Sequence, residues 1–280
     1  MDKQEIIWVT GATGFLGGEI CAHLQEAGYN VVGTGSELSV CEPERLEAFA
    51  TEVMPTAIVN CAGIRRDATT LNTRIKAYEV NALGARNVAL VANTVGAYLV
   101  QISSDDVYGA IVPEPVNEFD NPHPTTPYGK SKRAGEMMVR NTTDDHLIVR
   151  SSWLYHAQSG RFKDILDAAR EGRTYAARTD QVASPTSVDA YCRFLASALD
   201  KRLTGTFHVA NTGSTSRYGF AQRILELAGY DPSAVLVGEE DPKTAEHLVL
   251  ESLLLEMAGV DIPAWDAELA RYMEAQGLLA

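Results

Sequence analysis

The sequence has few cysteines, and none lies in a pattern typical of a metal site or a disulfide framework. Cys21, Cys41, Cys61 and Cys192 form no Cys-x-x-Cys pair, and no histidine stands beside them at metal-ligand spacing. A chain of 280 residues that is 45% hydrophobic can bury a core without disulfide support. We therefore expect reduced thiols and no metal ion.

Positive charge and long apolar runs are also scarce. The 24 Lys and Arg residues face 37 Asp and Glu residues, for a net charge of −13. A surface this acidic repels phosphate backbones, so nucleic acid is not an expected partner. No apolar run approaches the roughly 20 residues of a membrane-spanning helix, and the first residues lack the pattern of a signal peptide. These absences predict a soluble, cytoplasmic protein.

Short apolar runs alternate with amphipathic segments through the first half of the chain. The predicted strands cover 6–10, 31–32, 57–60, 98–103 and 147–150, and the predicted helices 14–27, 43–53, 71–94 and 125–140. This order is typical of an α/β fold with a doubly wound parallel (Rossmann) sheet.

The pattern loosens after Ser151, where we expect a smaller mixed α/β C-terminal substrate lobe. Its predicted helices cover 161–171, 187–199, 218–228, 251–258 and 265–276, and its predicted strands 174–178, 205–210 and 235–237. We assign residues 1–152, with about 187–202, to a dinucleotide-binding domain and residues 153–280 to the lobe.

The first strand leads into a glycine-rich loop, Thr10-Gly11-Ala12-Thr13-Gly14-Phe15-Leu16-Gly17. Gly11 permits a tight turn, Gly14 lets the backbone approach a pyrophosphate, and Gly17 lets the helix pack closely on the strand. The helix N-terminus that follows suits an anion. Its place between a strand and a helix favours a dinucleotide site formed by this loop, with Thr13, Phe15 and Leu16 included.

The end of the second strand reads the adenosine ribose in such folds, and an acidic residue there selects NAD. This chain has Gly33-Thr34-Gly35-Ser36 at that point, with no arginine before Arg45. Small hydroxyl residues leave room for a 2′-phosphate. We therefore predict that NADP(H) is favoured over NAD(H).

Ser104 follows the fourth strand, at the sheet edge where ligands sit in doubly wound folds. Tyr128 and Lys132 are four residues apart and share one face of a helix. A tyrosine has an ordinary pKa near 10, and an adjacent ammonium group lowers the pKa and suits the phenol to proton transfer. Together these groups indicate polarisation of a ketone that accepts a hydride from a nicotinamide.

These motifs resemble the extended short-chain dehydrogenase/reductase superfamily. Later segments narrow the resemblance to the dTDP-4-dehydrorhamnose reductase family, and it runs from about residue 5 to 230. The segments are Arg150-Ser151-Ser152-Trp153-Leu154-Tyr155, Asp180-Gln181-Val182-Ala183-Ser184-Pro185-Thr186, Gly205-Thr206-Phe207-His208-Val209-Ala210 and Thr215-Ser216-Arg217-Tyr218-Gly219-Phe220-Ala221.

The resemblance implies NAD(P)H-dependent reduction of a nucleotide-diphosphate-linked 4-keto sugar for glycan precursor synthesis. It implies Ser104, Tyr128 and Lys132 as catalytic residues, the last two also touching the cofactor. It adds Cys61, Ala62 and Gly63 to the cofactor site. On the substrate side it implies Ser104, Asp105, Trp153, Ser184 and Thr186.

Three departures from the family leave alternatives open. Asp106 stands where the family usually has an aromatic, Ser39 where it usually has an aspartate, and Thr244-Ala245-Glu246-His247 where it has Arg-Pro. Asp105-Asp106 is similar to nucleotide-sugar dehydratases, so an epimerase or dehydratase is one alternative. A non-catalytic NADP-binding subunit, like the methionine adenosyltransferase β subunit, is another.

Two further features remain undecided from the sequence. Arg65 and Arg66 are suited either to a diphosphate or to a solvated surface. The oligomeric state is open, and a homodimer is one option.

Overall fold

A six-stranded sheet is the main feature of the fold, in a computed structural model that describes residues 2–64, 70–112 and 114–280. Its strand order is β10-β5-β4-β3-β1-β2, and the pairings among β1 to β5 are parallel. The strands are β1 (Ile6–Thr10), β2 (Asn30–Thr34), β3 (Ala57–Asn60), β4 (Tyr98–Ile102), β5 (His146–Ser151) and β10 (Gly205–Val209). This confirms the predicted doubly wound parallel sheet.

Helices connect the successive strands. They are α1 (Phe15–Glu26), α2 (Pro43–Val53), α3 (Leu71–Tyr78), α4 (Ala85–Val95), α5 (Pro127–Arg140) and α7 (Val188–Lys201). The packing follows the predicted period: on α1, Ile20 and Leu24 are buried against the sheet side, and Leu16 is half-buried. Full burial of each such side chain contributes about 1.5–3 kcal/mol.

The helical region predicted over 71–94 is helical throughout, but it is not a single α-helix. A π-helical segment, Glu79–Gly84, separates α3 from α4. The π-turn carries one extra residue, and Asn81 is buried there. Helix α5 passes so close to this segment that a Cβ on Gly135 would lie 2.1 Å from the Asn81 carbonyl oxygen.

The remaining elements are short. They are β6 (Leu154–Tyr155), α6 (Gly160–Arg170), β7 (Tyr175–Arg178), β8 (Gln181–Ala183), β9 (Thr186–Ser187), β11 (Thr215–Ser216), α8 (Arg217–Leu227), α9 (Pro232–Val235), β12 (Leu236–Glu239), β13 (Glu246–His247), α10 (Leu253–Met257) and α11 (Trp265–Ala275). Their two- and three-stranded pairings make up the mixed α/β part of the chain. Their core includes four packed aromatic rings, Tyr155, Phe162, Phe220 and Tyr272.

The chain divides into two units. The first unit comprises residues 1–109, 121–150 and 192–207, and the second 110–120, 151–191 and 208–280. Residues 110–120, which fall within the predicted range 1–152, group with the second unit. The Val112 N–H donates to the His247 carbonyl and the Val116 N–H to the Val249 carbonyl, so backbone pairing draws this segment into the second unit.

The described helices include none that is long and apolar enough to cross a bilayer.

Candidate active site

The glycine-rich loop lies between β1 and α1, and two of its glycines are sterically required. Gly11 has φ +67°, and a Cβ there would lie 2.8 Å from the Ala62 nitrogen and 2.9 Å from the Cys61 carbonyl carbon. A Cβ on Gly17 would lie 2.3 Å from the Gly11 carbonyl oxygen. The loop after β3 and the first turn of α1 are thus both held against Gly11, as expected for a dinucleotide loop.

The start of α1 is suited to a phosphate group. Gly14 is the exposed N-cap residue, makes no side-chain cap, and is followed by a first turn without acidic residues. Thr13 is exposed beside it, while Phe15 and Leu16 are half-buried. The helix therefore presents its positive end without a competing carboxylate.

The end of β2 lies against this loop. The Ala12 N–H donates to the Thr34 carbonyl at 2.8 Å, and a Cβ on Gly35 would lie 2.4 Å from Thr13 Cγ2. Two charged side chains are found here. Glu37 accepts the Gly35 N–H at 2.5 Å, and Arg45 Nη2 donates to the Glu37 carbonyl at 2.9 Å.

Glu37 is a charged group that sequence reasoning did not single out at this position. The Gly35 N–H holds the pKa of the Glu37 carboxyl below its usual range. Arg45 lies in the first turn of α2, and its guanidinium group reaches back to the Glu37 carbonyl. The end of β2 therefore offers both a carboxylate and a cation near the expected ribose position.

The loop after β3 is tied to the helix that carries the predicted catalytic residues. Asn81 Oδ1 accepts the Ile64 N–H at 2.8 Å, and Asn81 Nδ2 donates to Ser131 Oγ at 2.9 Å. Ser131 Oγ in turn donates to the Tyr128 carbonyl at 2.7 Å. No sequence signal identified Asn81, because its partners lie in distant elements. Gly63 is exposed next to this connection.

Tyr128 lies in the first turn of α5, and Lys132 lies one turn later. Thr126 caps the helix by accepting the Gly129 N–H at 2.9 Å. Lys132 is only 7% exposed, and its Nζ donates to the Ile102 carbonyl at 2.6 Å. Burial lowers the pKa of Lys132 to about 8. The lysine is therefore fixed at the carboxyl end of β4, with its pKa well below that of an exposed lysine.

Ser104 is held by the two aspartates that follow it. Its Oγ lies 2.9 Å from Asp105 Oδ1 and 3.2 Å from Asp106 Oδ2, in a short 3₁₀ turn over Asp105–Val107. Asp105 is buried and Asp106 is half-buried. A Cβ on Gly129 would lie 2.0 Å from the Asp106 carbonyl oxygen. The turn carrying Ser104 is thus packed against the start of α5, next to Tyr128.

A row of buried polar groups runs beneath these residues across three strand ends. Thr10 Oγ1 donates to Asn60 Oδ1 at 2.6 Å, and Asn60 Nδ2 donates to Gln101 Oε1 at 2.7 Å. Gln101 Nε2 then donates to the Ile102 carbonyl at 2.9 Å, the same oxygen that Lys132 contacts. Sequence reasoning missed this row, which links the nucleotide end of the sheet to the lysine.

In the second unit, Trp153 has a strained backbone and a buried indole N–H. Its φ is +36°, which is unusual for a residue other than glycine. The Arg217 guanidinium carbon lies 3.2 Å from the Trp153 ring centroid. Among the described residues, Trp153 Nε1 has no hydrogen-bond acceptor. Strain and an unmet donor are features of ligand sites.

Ser184 and Thr186 are fully buried in the same unit, and their hydroxyls bond to the backbone. Ser184 Oγ donates to the Gly213 carbonyl at 2.8 Å, and Thr186 Oγ1 donates to the Ser184 carbonyl at 3.2 Å. Their predicted contact with substrate stays a prediction. Arg65 and Arg66 lie outside the described residues.

Within the described ranges, no group of three or more His, Cys, Asp or Glu side chains is arranged to hold a metal ion.

Comparison with known proteins places this chain among sugar-nucleotide reductases and their relatives. The model of the RmlD substrate binding domain family matches residues 5–277. The chain is similar to the spore coat polysaccharide biosynthesis protein SpsK of Bacillus subtilis, with 34% identity over 96% of each chain. It is also similar to the dTDP-4-dehydrorhamnose reductase of Mycobacterium tuberculosis, with 31% identity over 83% of this chain and 79% of that protein.

A crystal structure gives the same result. The dTDP-4-dehydrorhamnose reductase of Bacillus anthracis, solved in complex with NADP, superposes with a TM-score of 0.90 and 31% identity. The match covers 97% of this chain and 99% of that one.

Proposed function

This chain belongs to the RmlD substrate binding domain family, and we propose that it reduces a nucleotide-diphosphate-linked 4-keto sugar with NAD(P)H. It is an oxidoreductase of the extended short-chain dehydrogenase/reductase type. The observation that carries the proposal is the buried Lys132, one helical turn from Tyr128 and bonded to the end of the strand that precedes Ser104. The relative named for spore coat polysaccharide biosynthesis supports a role in glycan precursor synthesis.

Each reactive residue has a distinct role in this reduction. Tyr128 donates its phenolic proton to the oxygen of the former ketone. Lys132, as an ammonium group, favours proton release by that phenol and binds the nicotinamide ribose. When the sugar binds, the Ser104 hydroxyl donates to the keto oxygen in place of its bond to the aspartates, and Asp105 contacts the sugar from the same turn.

The dinucleotide cofactor supplies the hydride when bound. The residues present fit it, because a side chain at Gly11 or Gly17 would occupy backbone space in the loop and Gly14 leaves the helix end open. Thr13, Phe15, Leu16 and the Cys61–Gly63 loop complete the proposed site. NADP(H) is favoured over NAD(H): Arg45 of α2 reaches the Glu37 carbonyl beyond the end of β2, and the Bacillus anthracis relative was solved with NADP.

The substrate residues of the second unit are part of the proposal. Trp153 offers one face of its ring and a buried N–H, and Arg217 stacks on that ring with its positive charge. This pair suits a flat, anionic ligand such as a nucleotide diphosphate. Ser184 Oγ bonds the Gly213 carbonyl, and Thr186 Oγ1 accepts the Asn211 N–H at 3.2 Å, so both hold the loop over 211–213, and we propose that they shape the sugar pocket from there.

A homodimer and a cytoplasmic location also remain proposals. The helical run from α3 to α4 exposes several large apolar side chains, which supports self-association. They are Leu71, Ile75, Tyr78, Leu83 and Leu90. Light scattering on the purified chain during size-exclusion chromatography measures the mass directly, and a monomer at micromolar concentration would contradict the homodimer.

The reductase assignment is tested by NADPH oxidation with a panel of nucleotide-linked 4-keto sugars. Tyr128→Phe removes only the hydroxyl, so we expect kcat to fall by about 10²–10⁴-fold, the usual contribution of a general acid. The dissociation constant for NADPH should stay the same. Tyr78→Phe, at an exposed tyrosine of α3, is the matched control and should keep full activity. Full activity in Tyr128→Phe would refute the mechanism.

A second candidate function is favoured by one observation. Asp106 Oδ2 lies 3.2 Å from Ser104 Oγ, so a carboxylate stands where an epimerase or dehydratase needs an acid or base. Such an enzyme keeps its dinucleotide bound and returns the hydride to the sugar. Stoichiometric dinucleotide in the purified protein, with sugar conversion and no net NADPH consumption, would favour this function over reduction.

A further inference from the structure

A buried carboxylate lies one turn beyond Lys132 on α5, and it has four donors. Glu136 Oε1 accepts Ser103 Oγ at 2.7 Å and Arg150 Nε at 2.8 Å. Glu136 Oε2 accepts Arg150 Nη2 at 2.7 Å and Arg133 Nη1 at 2.9 Å. Glu136 and Arg150 are each only 1% exposed. Both oxygens of the Glu136 carboxylate thus accept two hydrogen bonds each at the carboxyl ends of β4 and β5.

The pair connects the elements that carry the reactive residues. Ser103 immediately precedes Ser104, and Arg150 comes from the end of β5. Arg150 Nη1 donates to the hydroxyl of Tyr108, which follows the 3₁₀ turn after Ser104, at 2.7 Å. Glu136 therefore joins α5 directly to the residue before Ser104 and, through Arg150, to the far side of the same turn.

The charge of Glu136 also acts on the lysine. Lys132 is buried, and its Nζ donates to the neutral Ile102 carbonyl. Burial lowers the pKa of Lys132 to about 8. Two groups oppose that effect: Glu136 on the same helix and the Cys61 thiol after β3. Since burial raises the pKa of the Cys61 thiol, Glu136 is the ionised one of the two near neutral pH.

Stability alone gives a weak reason for such a pair. The cost of desolvation offsets much of the attraction in a buried ion pair, and a protein with apolar residues of similar volume in its place is often equally stable. Here burial would raise the pKa of Glu136, but the hydrogen bonds and charge of Arg150 hold it below the usual range. The carboxylate is thus kept ionised at a point that fixes two reactive elements.

We propose that Glu136 is a positioning residue for the reduction: it holds α5 in register with the turn that carries Ser104, and its carboxylate stands one helical turn from Lys132. The expected effect on kcat rests on the proposed function. The expected effect of the Glu136 charge on Lys132 holds for any chemistry at this site.

Glu136→Gln tests both consequences, because it keeps the shape and removes the charge. Glu268 is a matched control in the second unit: it is 1% exposed and accepts Ser187 Oγ at 2.5 Å and Arg271 Nη2 at 2.6 Å. We expect Glu136→Gln to lower kcat by about 10²-fold, the usual effect of misalignment by about 1 Å. The decline of activity at alkaline pH should move to lower pH. Glu268→Gln should lower the melting temperature without changing kcat or the pH profile.

A second pair of variants applies if Glu136→Gln does not fold. Ser103→Ala and Tyr108→Phe each remove one hydrogen bond without leaving a buried charge. Each should lower kcat by roughly tenfold, since each loosens one contact of the network and misplacement by about 1 Å costs about 10²-fold in rate. NADPH affinity should stay unchanged in both. Unchanged kcat in both variants would refute the positioning role.

A calorimetric titration with NADPH separates this proposal from the reductase assignment. Wild-type affinity should fall as pH rises through about 8, where Lys132 loses its charge, and in Glu136→Gln the fall should begin at lower pH. If the wild-type chain reduces no keto sugar, the reductase assignment fails while this shift still supports Glu136. Coincident affinity profiles for wild type and Glu136→Gln would overturn the electrostatic role.

Discussion

Gly129→Ala sets helix propensity against packing at the start of α5. Alanine is favoured over glycine in a helix interior by about 1 kcal/mol, so propensity alone predicts a more stable protein. The structure instead predicts a loss of activity, because the added Cβ would lie 2.0 Å from the Asp106 carbonyl oxygen. Contacts of that kind are not observed below 3.0 Å, so the two segments must separate by about 1 Å or more.

That separation moves Tyr128 away from the turn that carries Ser104. Misplacement by about 1 Å typically costs about 10²-fold in rate, so we expect kcat to fall by that factor. NADPH affinity should fall less than kcat, since Lys132 lies one turn further along α5 and the glycine-rich loop lies in other elements. The assay is NADPH oxidation with the best keto-sugar substrate, together with thermal melting and a calorimetric NADPH titration.

Lys130→Ala is the control, because Lys130 is the next residue of the helix and its side chain is exposed. It should keep wild-type kcat. A folded Gly129→Ala protein with kcat within about twofold of wild type would refute the reasoning, because the close approach would then have no part in aligning Tyr128. A lower melting temperature with unchanged kcat would lead to the same conclusion.

Three further outcomes are expected. Gly14→Val should abolish NADPH binding yet fold, since φ of −79° at Gly14 suits a branched residue; unchanged affinity by calorimetry would contradict the phosphate-loop assignment. Arg45→Ala should raise KM for NADPH by roughly fivefold, which corresponds to the loss of an exposed ion pair of about 1 kcal/mol. Glu37→Gln should lower KM for NADPH at least as much as KM for NADH. Equal losses with NADH and NADPH in Arg45→Ala would exclude a 2′-phosphate contact. Reductase kcat should decline as pH rises through about 8, because Lys132 must carry its proton to act and loses it above that pH. A flat profile from pH 7 to about 9.5 would show that the charge of Lys132 is not required.

The parts of the fold that could be predicted from sequence are those set by local periodicity and by glycine. Ile20 and Leu24 recur at helical spacing, and both are buried on α1. The three loop glycines occur at fixed offsets, and the structure shows close backbone contacts at Gly11 and Gly17. Such signals lie within one element and its neighbouring turn, so a single sequence carries them completely.

The parts that could not be predicted are polar pairs whose partners lie far apart in the chain. Asn81 contacts Ser131, fifty residues later, and Glu136 bonds Arg150 across two elements. No period relates such residues, and each resembles an ordinary surface residue in the sequence. The grouping of 110–120 with the second unit has the same kind of cause, since its backbone bonds go to residues near 247.

The lysine illustrates why a motif alone does not define a site. Spacing of four residues places Tyr128 and Lys132 on one helix face, but it does not say how deep that face lies. An exposed lysine would keep a pKa near 10.4 and remain charged at every physiological pH. Here the Ile102 carbonyl fixes the ammonium group below the surface, and burial lowers the pKa of Lys132 to about 8. The Ile102 carbonyl also accepts Gln101 Nε2, the last donor of the row that begins at Thr10. The position of the lysine therefore depends on three strands as well as on its own helix. The burial of the ammonium group then sets the pH range in which Lys132 is charged.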